Sequence, residues 1–298
     1  MSTLQKLFRH TFIYGIATVL PRVLSVLLTR LYTDKLPTDA YGIVIFVFSA
    51  MIFFNVVLSY GMETAFFRFI NKSERKNEVQ STALSSLLLT SLLFLALTLG
   101  LKSQIASWLD IEEAYIFYAI LILTLDALVV IPFAWLRHQQ KPIRYTVIKV
   151  LNVIINLSFN LFFFLWLPYL ITEGHEGMMN AIYLGENTIH YIFIANLIAS
   201  AVTLIMVLPL YFRIKLRLNI GILKKMFRYG FPILIAGIAF SINEHFDKIL
   251  LKYLLPEAIA ESEVGIYGAC YKLGVFMTLF ITAFKLGIEP FFFSYAHK

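Results

Sequence analysis

Four polar side chains fall at the middle of long apolar segments of the sequence. They are Arg22, Asn55, Asp126 and Asn156. An ionised side chain at the centre of a bilayer costs at least ~2.5–3.5 kcal/mol on insertion scales, so each such residue needs a reason. We interpret Arg22 as a candidate contact for an anionic substrate and Asp126 as a candidate site for a coupling ion. A buried ion pair between these two residues is the structural alternative.

Three asparagines recur at intervals of four residues in one of these segments. Asn152, Asn156 and Asn160 therefore share one face of a predicted helix. Amides on a lipid-facing surface would lack hydrogen-bond partners, so we expect this face to point at neighbouring helices or a water-filled cavity. Asn156, at the predicted midplane, is a candidate for substrate binding.

A second charged group lies in two apolar segments nearer the end of the sequence. It contains Glu244, Asp247, Lys248 and Lys272. Glu244 and Asp247 are one helical turn apart, which suits the binding of a coupling proton or cation. The structural alternative is an ion pair between Glu244 and Lys272, which are expected at the same depth.

Two further groups of acidic residues lie between apolar segments. The first comprises Glu173, His175 and Glu176, and the second comprises Asp110, Glu112 and Glu113. The first could bind a metal ion and the second could imitate the carboxylates of a membrane glycosyltransferase, but a solvated loop is the simpler interpretation of each. The sequence has no phosphate-binding glycine loop or nucleophile elbow, and a single cysteine, Cys270, excludes an intramolecular disulfide. We therefore predict no metal, no cofactor and no enzymatic activity.

The composition indicates which elements must position these residues. Of 298 residues, 59% are hydrophobic and 14% are charged, whereas soluble domains average ~25% charged residues. The chain is therefore predicted to be an all-α, polytopic membrane protein. Its formal charge of +7 is expected to lie in cytoplasmic segments and does not indicate a nucleic-acid partner.

A membrane-spanning helix needs ~20 mostly apolar residues. Eight segments meet this requirement, at about 10–33, 41–69, 81–101, 115–136, 144–168, 190–212, 229–252 and 264–288. Lys and Arg are concentrated in alternate connecting segments, which we place at 68–76, 137–149 and 213–228. By the positive-inside rule these segments and the N-terminus are cytoplasmic.

The beginning of the sequence is repeated near its end. Residues 4–9 and 223–228 both end in Phe-Arg, with a Lys three positions before the Arg. In each copy a Leu-Pro pair begins 28 residues after the Phe, at Leu36 and at Leu255. A Tyr-Gly pair then follows, in the second copy after a longer loop. Six helices separate the copies, so both point the same way, as in parallel-repeat transporters.

This repeat predicts three parts of the chain. They are a six-helix lobe at 1–212, a basic cytoplasmic linker with an amphipathic interfacial helix at 213–228, and the first two helices of a second lobe at 229–298. A full second copy would have six helices. We therefore expect the sequence to be truncated from a protein of twelve or more helices, or to be completed by a partner.

Several short motifs resemble one transporter family. In the first two helices they are Arg30-Leu31, Tyr41-Gly42, and Gly61 followed seven residues later by Arg68. In the last two they are Asp247-Lys248-Ile249-Leu250-Leu251, Val264-Gly265-Ile266-Tyr267 and Lys272-Leu273. In order and spacing they resemble the Wzx-type oligosaccharide flippases, polysaccharide-biosynthesis members of the MOP superfamily that also contains the MATE drug exporters.

The resemblance implies two MATE-like six-helix lobes around a central cavity with alternating access. The implied substrate is a polyprenyl-diphosphate-linked oligosaccharide, which is flipped across the bacterial inner membrane for O-antigen, capsule or exopolysaccharide synthesis. Cationic residues would contact the diphosphate, a role that the resemblance carries to Arg22, Arg30 and Lys272. Membrane lipid and other polysaccharide assembly proteins are the further partners expected.

Other functions remain open at this point. A cation-coupled drug exporter would need an acidic, aromatic cavity, which Arg22 opposes. A lipid II flippase usually has more basic residues in its first two helices than Arg22 and Arg30. A membrane glycosyltransferase or polymerase would need catalytic carboxylates in a large outer loop, and a scaffold without transport is a further class.

Overall fold

The computed structural model describes residues 19–21, 23–172, 183–185, 188–274 and 277. Arg22 and the group Glu173, His175 and Glu176 lie outside the described residues, so their roles stay predictions. Within the described residues the chain is helical and contains no strand. Its helices are α1 (19–21 and 23–35), α2 (Thr38–Ser59), α3 (Met62–Lys72), α4 (Lys76–Gly100), α5 (Lys102–Leu109), α6 (Glu113–His138), α7 (Pro142–Leu161), α8 (Leu167–Thr172), α9 (Ile189–Phe212), α10 (Ile220–Leu254) and α11 (257–274).

Six stretches of described helix are long and apolar enough to cross a membrane. They are Thr38–Lys72, Lys76–Gly100, Glu113–His138, Pro142–Ile171, Ile189–Phe212 and Ile220–Leu254. These stretches confirm the prediction of an all-α, polytopic chain. The first and last of the eight predicted spans extend beyond the described residues, so the number eight stays a prediction.

The second predicted span, 41–69, is divided into α2 and α3. Tyr60 and Gly61 both take left-handed backbone, with φ of 32° and 68°. Glycine adopts this conformation without steric cost, so Gly61 favours a break at this point. A Cβ on Gly61 would also overlap the carbonyl oxygen of Gly230 in α10. The break therefore lies where two helix backbones come into close contact.

The predicted interfacial helix over 213–228 is wrong. Residues 215–219 are not helical, and α10 runs without interruption from Ile220 to Leu254. The Asn219 side chain accepts a hydrogen bond from the Ile222 N–H at 3.2 Å, which caps the helix at its start. The basic residues 224–228 are therefore the second and third turns of a long helix rather than a separate element.

The two Leu-Pro pairs of the repeat have the same structural role. Leu36-Pro37 separates α1 from α2, and Leu255-Pro256 separates α10 from α11. Proline favours the first turn of a helix because its missing N–H is not needed there. The longer loop predicted after Leu255-Pro256 is wrong, since α11 begins at residue 257.

The connections between helices define two ends of the bundle. We call the end with the α3–α4, α6–α7 and α9–α10 connections the basic end, and the other the opposite end. Towards the opposite end the Phe193 ring stacks on those of Tyr115 and Phe48, with centroids 5.5 and 5.4 Å apart. At the basic end Met226 of α10 is buried against α3, α4 and α6. We call α1–α9 the N-terminal bundle and the last two helices the α10–α11 pair.

The α10–α11 pair packs along α2 from one end to the other. At the opposite end the Thr38 and Ser262 hydroxyl oxygens are 2.6 Å apart, and a Cβ on Gly42 would overlap the Glu261 carbonyl oxygen. The buried Lys252 ammonium donates to the carbonyl oxygens of Leu109 and Asp110 at 3.1 and 3.2 Å. Small residues permit this close backbone approach, as in other membrane helix pairs.

Candidate functional site

Lys248 in α10 is a buried cation with a carboxylate beside it. Its side chain is 5% exposed, and its Nζ lies 2.8 Å from Asp247 Oδ1. Nζ also donates to the Glu244 carbonyl oxygen at 3.1 Å. A buried charge is tolerated in this way when it is paired and hydrogen-bonded.

Two tyrosines of α11 complete the surroundings of this ion pair. The Tyr271 ring centroid is 3.5 Å from Lys248 Nζ, a cation–π contact. Its hydroxyl donates to Glu244 Oε2 at 2.9 Å, and the Tyr267 hydroxyl donates to Asp247 Oδ2 at 2.6 Å. The predicted Glu244–Lys272 ion pair is therefore wrong, because a phenol of the neighbouring helix takes the place of the lysine.

Lys272 instead joins α11 to the N-terminal bundle. Its Nζ donates to the Tyr41 hydroxyl at 3.1 Å and lies 5.5 Å from the Tyr41 ring centroid. The Tyr41 and Tyr32 rings are 6.2 Å apart, and the Tyr32 hydroxyl donates to Asn160 Oδ1 at 2.7 Å. A line of polar groups thus runs from α7 through α1 and α2 to α11. The tyrosine–charge cluster is our name for Tyr32, Tyr41, Glu244, Asp247, Lys248, Tyr267, Tyr271 and Lys272.

The predicted asparagine face does point at neighbouring helices. Asn160 is fully buried against α1 through Tyr32, and its Nδ2 donates to the Asn156 carbonyl oxygen at 2.8 Å. Asn152 Nδ2 donates to the Thr203 hydroxyl of α9 at 2.9 Å. These bonds between helices satisfy two of the three amides within the protein, as expected for polar residues in a membrane bundle.

Asp126 belongs to a separate group inside the N-terminal bundle. Its Oδ1 accepts a hydrogen bond from the Ser200 hydroxyl of α9 at 2.8 Å, and the Asn55 side chain of α2 lies beside this carboxylate. The charge of Lys149 in α7 acts on it as well, while the Lys149 ammonium lies 4.6 Å from the Phe133 ring centroid. The sequence analysis placed Lys149 in a cytoplasmic connection, which is wrong, since it lies two turns inside α7. The Asp126 cluster is our name for Asn55, Asp126, Lys149 and Ser200.

The other candidate residues are less embedded. Arg30 is exposed on α1. Glu113 is partly solvent-exposed, as expected, and pairs with Lys102 at 2.8 Å. Glu112 Oε1 likewise lies 3.4 Å from His190 Nε2. Among the described residues no group of three or more His, Cys, Asp or Glu side chains could hold a metal ion.

An apolar cavity of about 470 Å³ adjoins α10 towards the opposite end. Its walls come from α2, α4, α5, α6 and α10, and include Phe46, Phe54, Trp108 and Phe246. Tyr253, whose ring is 5.9 Å from that of Phe46, also lines it. This chemistry suits a hydrocarbon chain and not a sugar or phosphate.

The sequence patterns did not indicate that the tyrosines and Lys149 are members of these clusters. Tyr267 and Tyr271 are four residues apart, as are Glu244 and Lys248, so both pairs lie on single helix faces. That shared spacing was the available signal for tyrosine–carboxylate contacts. Aromatic residues in an apolar segment are nonetheless indistinguishable, by composition, from core residues.

A bundle of long apolar helices with charges paired inside it is typical of an integral membrane protein. Three solved structures share the fold: a MOP superfamily transporter from Pyrococcus furiosus, with a TM-score of 0.60 and 16% identity, and a MATE protein in complex with Br-NRF (0.58, 16%) and with MaD3S (0.55, 17%). The alignments cover 95%, 90% and 90% of this chain and 69%, 66% and 63% of those chains. This chain thus spans about two thirds of their length.

The sequence itself identifies the family. The profile described as "Polysaccharide biosynthesis protein" matches residues 4–294, so the chain belongs to that family. No curated protein matches the sequence. Together the family and the fold confirm the resemblance to MOP-type polysaccharide flippases and indicate a transporter rather than an enzyme.

Proposed function

We propose that this protein flips a polyprenyl-diphosphate-linked oligosaccharide across the bacterial inner membrane, with its N-terminus in the cytoplasm. The observation that carries the proposal is the tyrosine–charge cluster, which joins the N-terminal bundle to the α10–α11 pair through Lys272 and Tyr41. A transported molecule that passes between two bundles must contact residues on both. Lys272 offers a cation for the diphosphate, and the neighbouring phenols offer hydrogen bonds and ring faces for sugars.

The remaining candidate residues fit the same proposal. Arg22 and Arg30 would attract the diphosphate from α1, and Asn156 would meet the glycan. Glu244 and Asp247 would take up the coupling ion, whereas Asp126 belongs to a separate cluster inside the N-terminal bundle. The apolar cavity lined by Phe46 and Trp108 has the chemistry to hold part of the prenyl chain.

Lys272 provides the test. In a cell that depends on this protein for surface polysaccharide, Lys272→Gln should reduce glycan export at least tenfold, while Lys272→Arg should keep part of it because the charge remains. Lys225→Gln is the matched control, because Lys225 is an exposed residue of α10 at the basic end. Surface glycan and intracellular lipid-linked glycan are both measured, with membrane abundance of each variant. Full export by Lys272→Gln at normal abundance would exclude this role.

A cation-coupled drug exporter is the second candidate, because Glu244 and Asp247 lie against tyrosines in the manner of an acidic, aromatic site. Lys248 already pairs with Asp247, so within this cluster Glu244 is the carboxylate left to attract a cationic drug. Resistance to a cationic dye that depends on Glu244 would favour the exporter. Glycan export without such resistance would favour the flippase.

A further inference from the structure

A cavity of about 1160 Å³ opens at the basic end of the bundle, where three connections between helices meet. The α3–α4, α6–α7 and α9–α10 connections form its walls. Six basic residues line it: Arg75, Lys141, Arg144, Arg213, Lys215 and Arg217. The cavity is far from the tyrosine–charge cluster. Asn219, which lines the cavity and caps α10, precedes Glu244 of the same helix by 25 residues. At 1.5 Å per residue this separation is about 37 Å.

The wall contributed by the α9–α10 connection is fixed in place. The Ser81 hydroxyl of α4 lies 2.7 Å from the Lys215 carbonyl oxygen and accepts the Arg217 N–H at 2.7 Å. The Asn219 N–H donates to the Thr82 hydroxyl at 3.2 Å. Ser81 and Thr82 are both buried. The cavity is therefore built by hydrogen bonds between distant parts of the sequence, and not by loops that merely lie close together.

The charges in this cavity are poorly balanced. Among the described residues that line the cavity, Glu78 is the only carboxylate, and Arg75 and Asn219 already contact it at 3.6 and 3.3 Å. Within the described residues, no carboxylate lies within 4.0 Å of the other five basic side chains. A concave surface with an excess of one charge concentrates counter-ions of the opposite sign.

Three helix N-termini at the cavity also favour an anionic ligand. The residues that precede α4, α7 and α10 are Arg75, Lys141 and Asn219, and all three line the cavity. Arg75 and Lys141 provide no side-chain cap. The Glu78 N–H already bonds the Arg75 carbonyl oxygen and Pro142 has no N–H, so the N–H groups of residues 76–77 and 143–144 are the ones that remain for a ligand. The positive end of each helix dipole adds to the basic side chains.

The first turn of α7 carries charge of the wrong sign for helix stability. Its N-cap is Lys141, Arg144 lies in its first turn, and no acidic residue is present there. Cations are unfavourable at a helix N-terminus, where the dipole is positive. A bound anion would remove this conflict.

We propose that the basic-end cavity binds a phosphate-bearing anion, of the chemistry that a diphosphate or a phosphodiester presents. Arg144 and Arg217 supply guanidinium groups that can hold phosphate oxygens in pairs, and the N-termini of α4 and α7 supply backbone donors. The Trp135 ring, also in the lining, provides an apolar wall. Two sources present this chemistry at a membrane surface: an anionic lipid headgroup and a soluble diphosphate. The site is independent of the proposed transport route.

Trp135 makes the binding measurable. The three tryptophans of the chain are Trp108, Trp135 and Trp166, so a Trp108→Phe/Trp166→Phe background leaves one reporter inside the cavity. The full chain is placed in phosphatidylcholine nanodiscs and titrated with inorganic diphosphate. In parallel, nanodiscs with increasing phosphatidylglycerol are compared at equal size. A saturable fluorescence change with diphosphate identifies a soluble ligand, and a change with phosphatidylglycerol alone identifies a lipid headgroup.

Two triple variants, each of which removes three positive charges, distinguish anion binding in the cavity from non-specific attraction to a basic surface. Lys141→Gln/Arg144→Gln/Lys215→Gln should weaken binding at least tenfold. Lys224→Gln/Lys225→Gln/Arg228→Gln removes the same residue types from the exposed surface of α10 at the same end, outside the cavity lining, and should change binding less than twofold. Equal losses in both variants, or no response to either anion, would overturn the proposal.

Thermal unfolding gives a second readout that does not require the variant to match the native stability. The anion that binds should raise the melting temperature of the native chain and of the Lys224/Lys225/Arg228 control. It should leave the melting temperature of the cavity variant unchanged, whatever that variant's starting value. An equal rise in the cavity variant would contradict the proposal.

Discussion

The Asp126 cluster and the tyrosine–charge cluster both place charges among apolar helices, but the charges are hydrogen-bonded and paired by different kinds of partner. Asp126 accepts from a serine hydroxyl and lies beside an asparagine within the N-terminal bundle. Asp247 pairs with Lys248 in its own helix and accepts from Tyr267 of α11. The first cluster lies inside one packed unit, whereas the second uses long side chains near the contact between two units.

This difference separates a group that holds helices together from one that can meet a ligand. The Asp247 side chain is 33% exposed, and the cluster continues through Lys272 to Tyr41 in the N-terminal bundle. Long side chains with several donors can exchange one partner for another at small cost when the two units move. The Asp126 cluster has no such freedom, because its partners lie on packed helices of one bundle.

The largest effect is expected when the buried lysine loses its carboxylate. Asp247→Ala should lower the free energy of unfolding by ~3 kcal/mol, because breaking a buried ion pair leaves one charge uncompensated. Membrane abundance and thermal unfolding of the variant are the measurements. Asp247→Ala/Lys248→Met removes both charges and should restore most of the loss. Native abundance of the single variant would show that the pair is not needed for folding.

A smaller effect is expected at the close contact between α2 and α11. Gly42→Ala should cost ~2 kcal/mol, the middle of the range for overpacking, because its Cβ overlaps the Glu261 carbonyl oxygen. The contact is measured by a disulfide between Thr38→Cys and Ser262→Cys in a Cys270→Ser background. The cross-link should form readily with Gly42 and poorly with alanine. In Gly42→Ala, Lys272 should then lose its hydrogen bond to the Tyr41 hydroxyl, while the Asp126 cluster is unaffected.

Gly100→Ala is the matched control for this experiment. A Cβ on Gly100 would meet nothing within 4 Å, so the cross-link and the stability should both remain native. Equal cross-linking in Gly42→Ala and Gly100→Ala would show that α2 and α11 do not approach as closely as the structure has them. The comparison between the two clusters would then lose its basis, since the second depends on this contact.

The sequence predicted the positions of these groups better than their partners. The interval of four residues correctly placed Asn152 and Asn160 against neighbouring helices. Depth alone suggested a Glu244–Lys272 pair, yet Glu244 accepts from Tyr271 instead. Hydropathy treats a tyrosine in an apolar segment as core, and therefore gives no weight to its hydroxyl as a hydrogen-bond donor.

Helix boundaries depended on local backbone features that apolar composition does not report. Gly61 with positive φ breaks a segment that hydropathy reads as one helix. Asn219 caps α10 ahead of the basic residues that were predicted to form a separate element. In each place a single residue, rather than the average of a window, decides the boundary.

The smallest effect is expected at Asp126. Asp126→Asn keeps an oxygen that can accept from the Ser200 hydroxyl, and Lys149 keeps its contact with the Phe133 ring. We therefore expect a change in the free energy of unfolding below ~1 kcal/mol, less than the loss of a typical hydrogen bond. Glycan export and abundance should stay near native. Asp126→Leu removes the acceptor, leaves the Ser200 hydroxyl without it, and should reduce abundance.

Export by Asp126→Asn also decides between the two sequence-based hypotheses for Arg22, which lies outside the described residues. If Arg22 pairs with Asp126, Asp126→Asn leaves a buried cation and abundance falls, and Arg22→Ala/Asp126→Asn restores it. If Arg22 contacts the substrate diphosphate, Arg22→Ala abolishes export at normal abundance, and neutralising Asp126 does not rescue it. Loss of export in Asp126→Asn at full abundance would instead assign coupling-ion binding to Asp126, and the contrast between a structural and a functional cluster would fail.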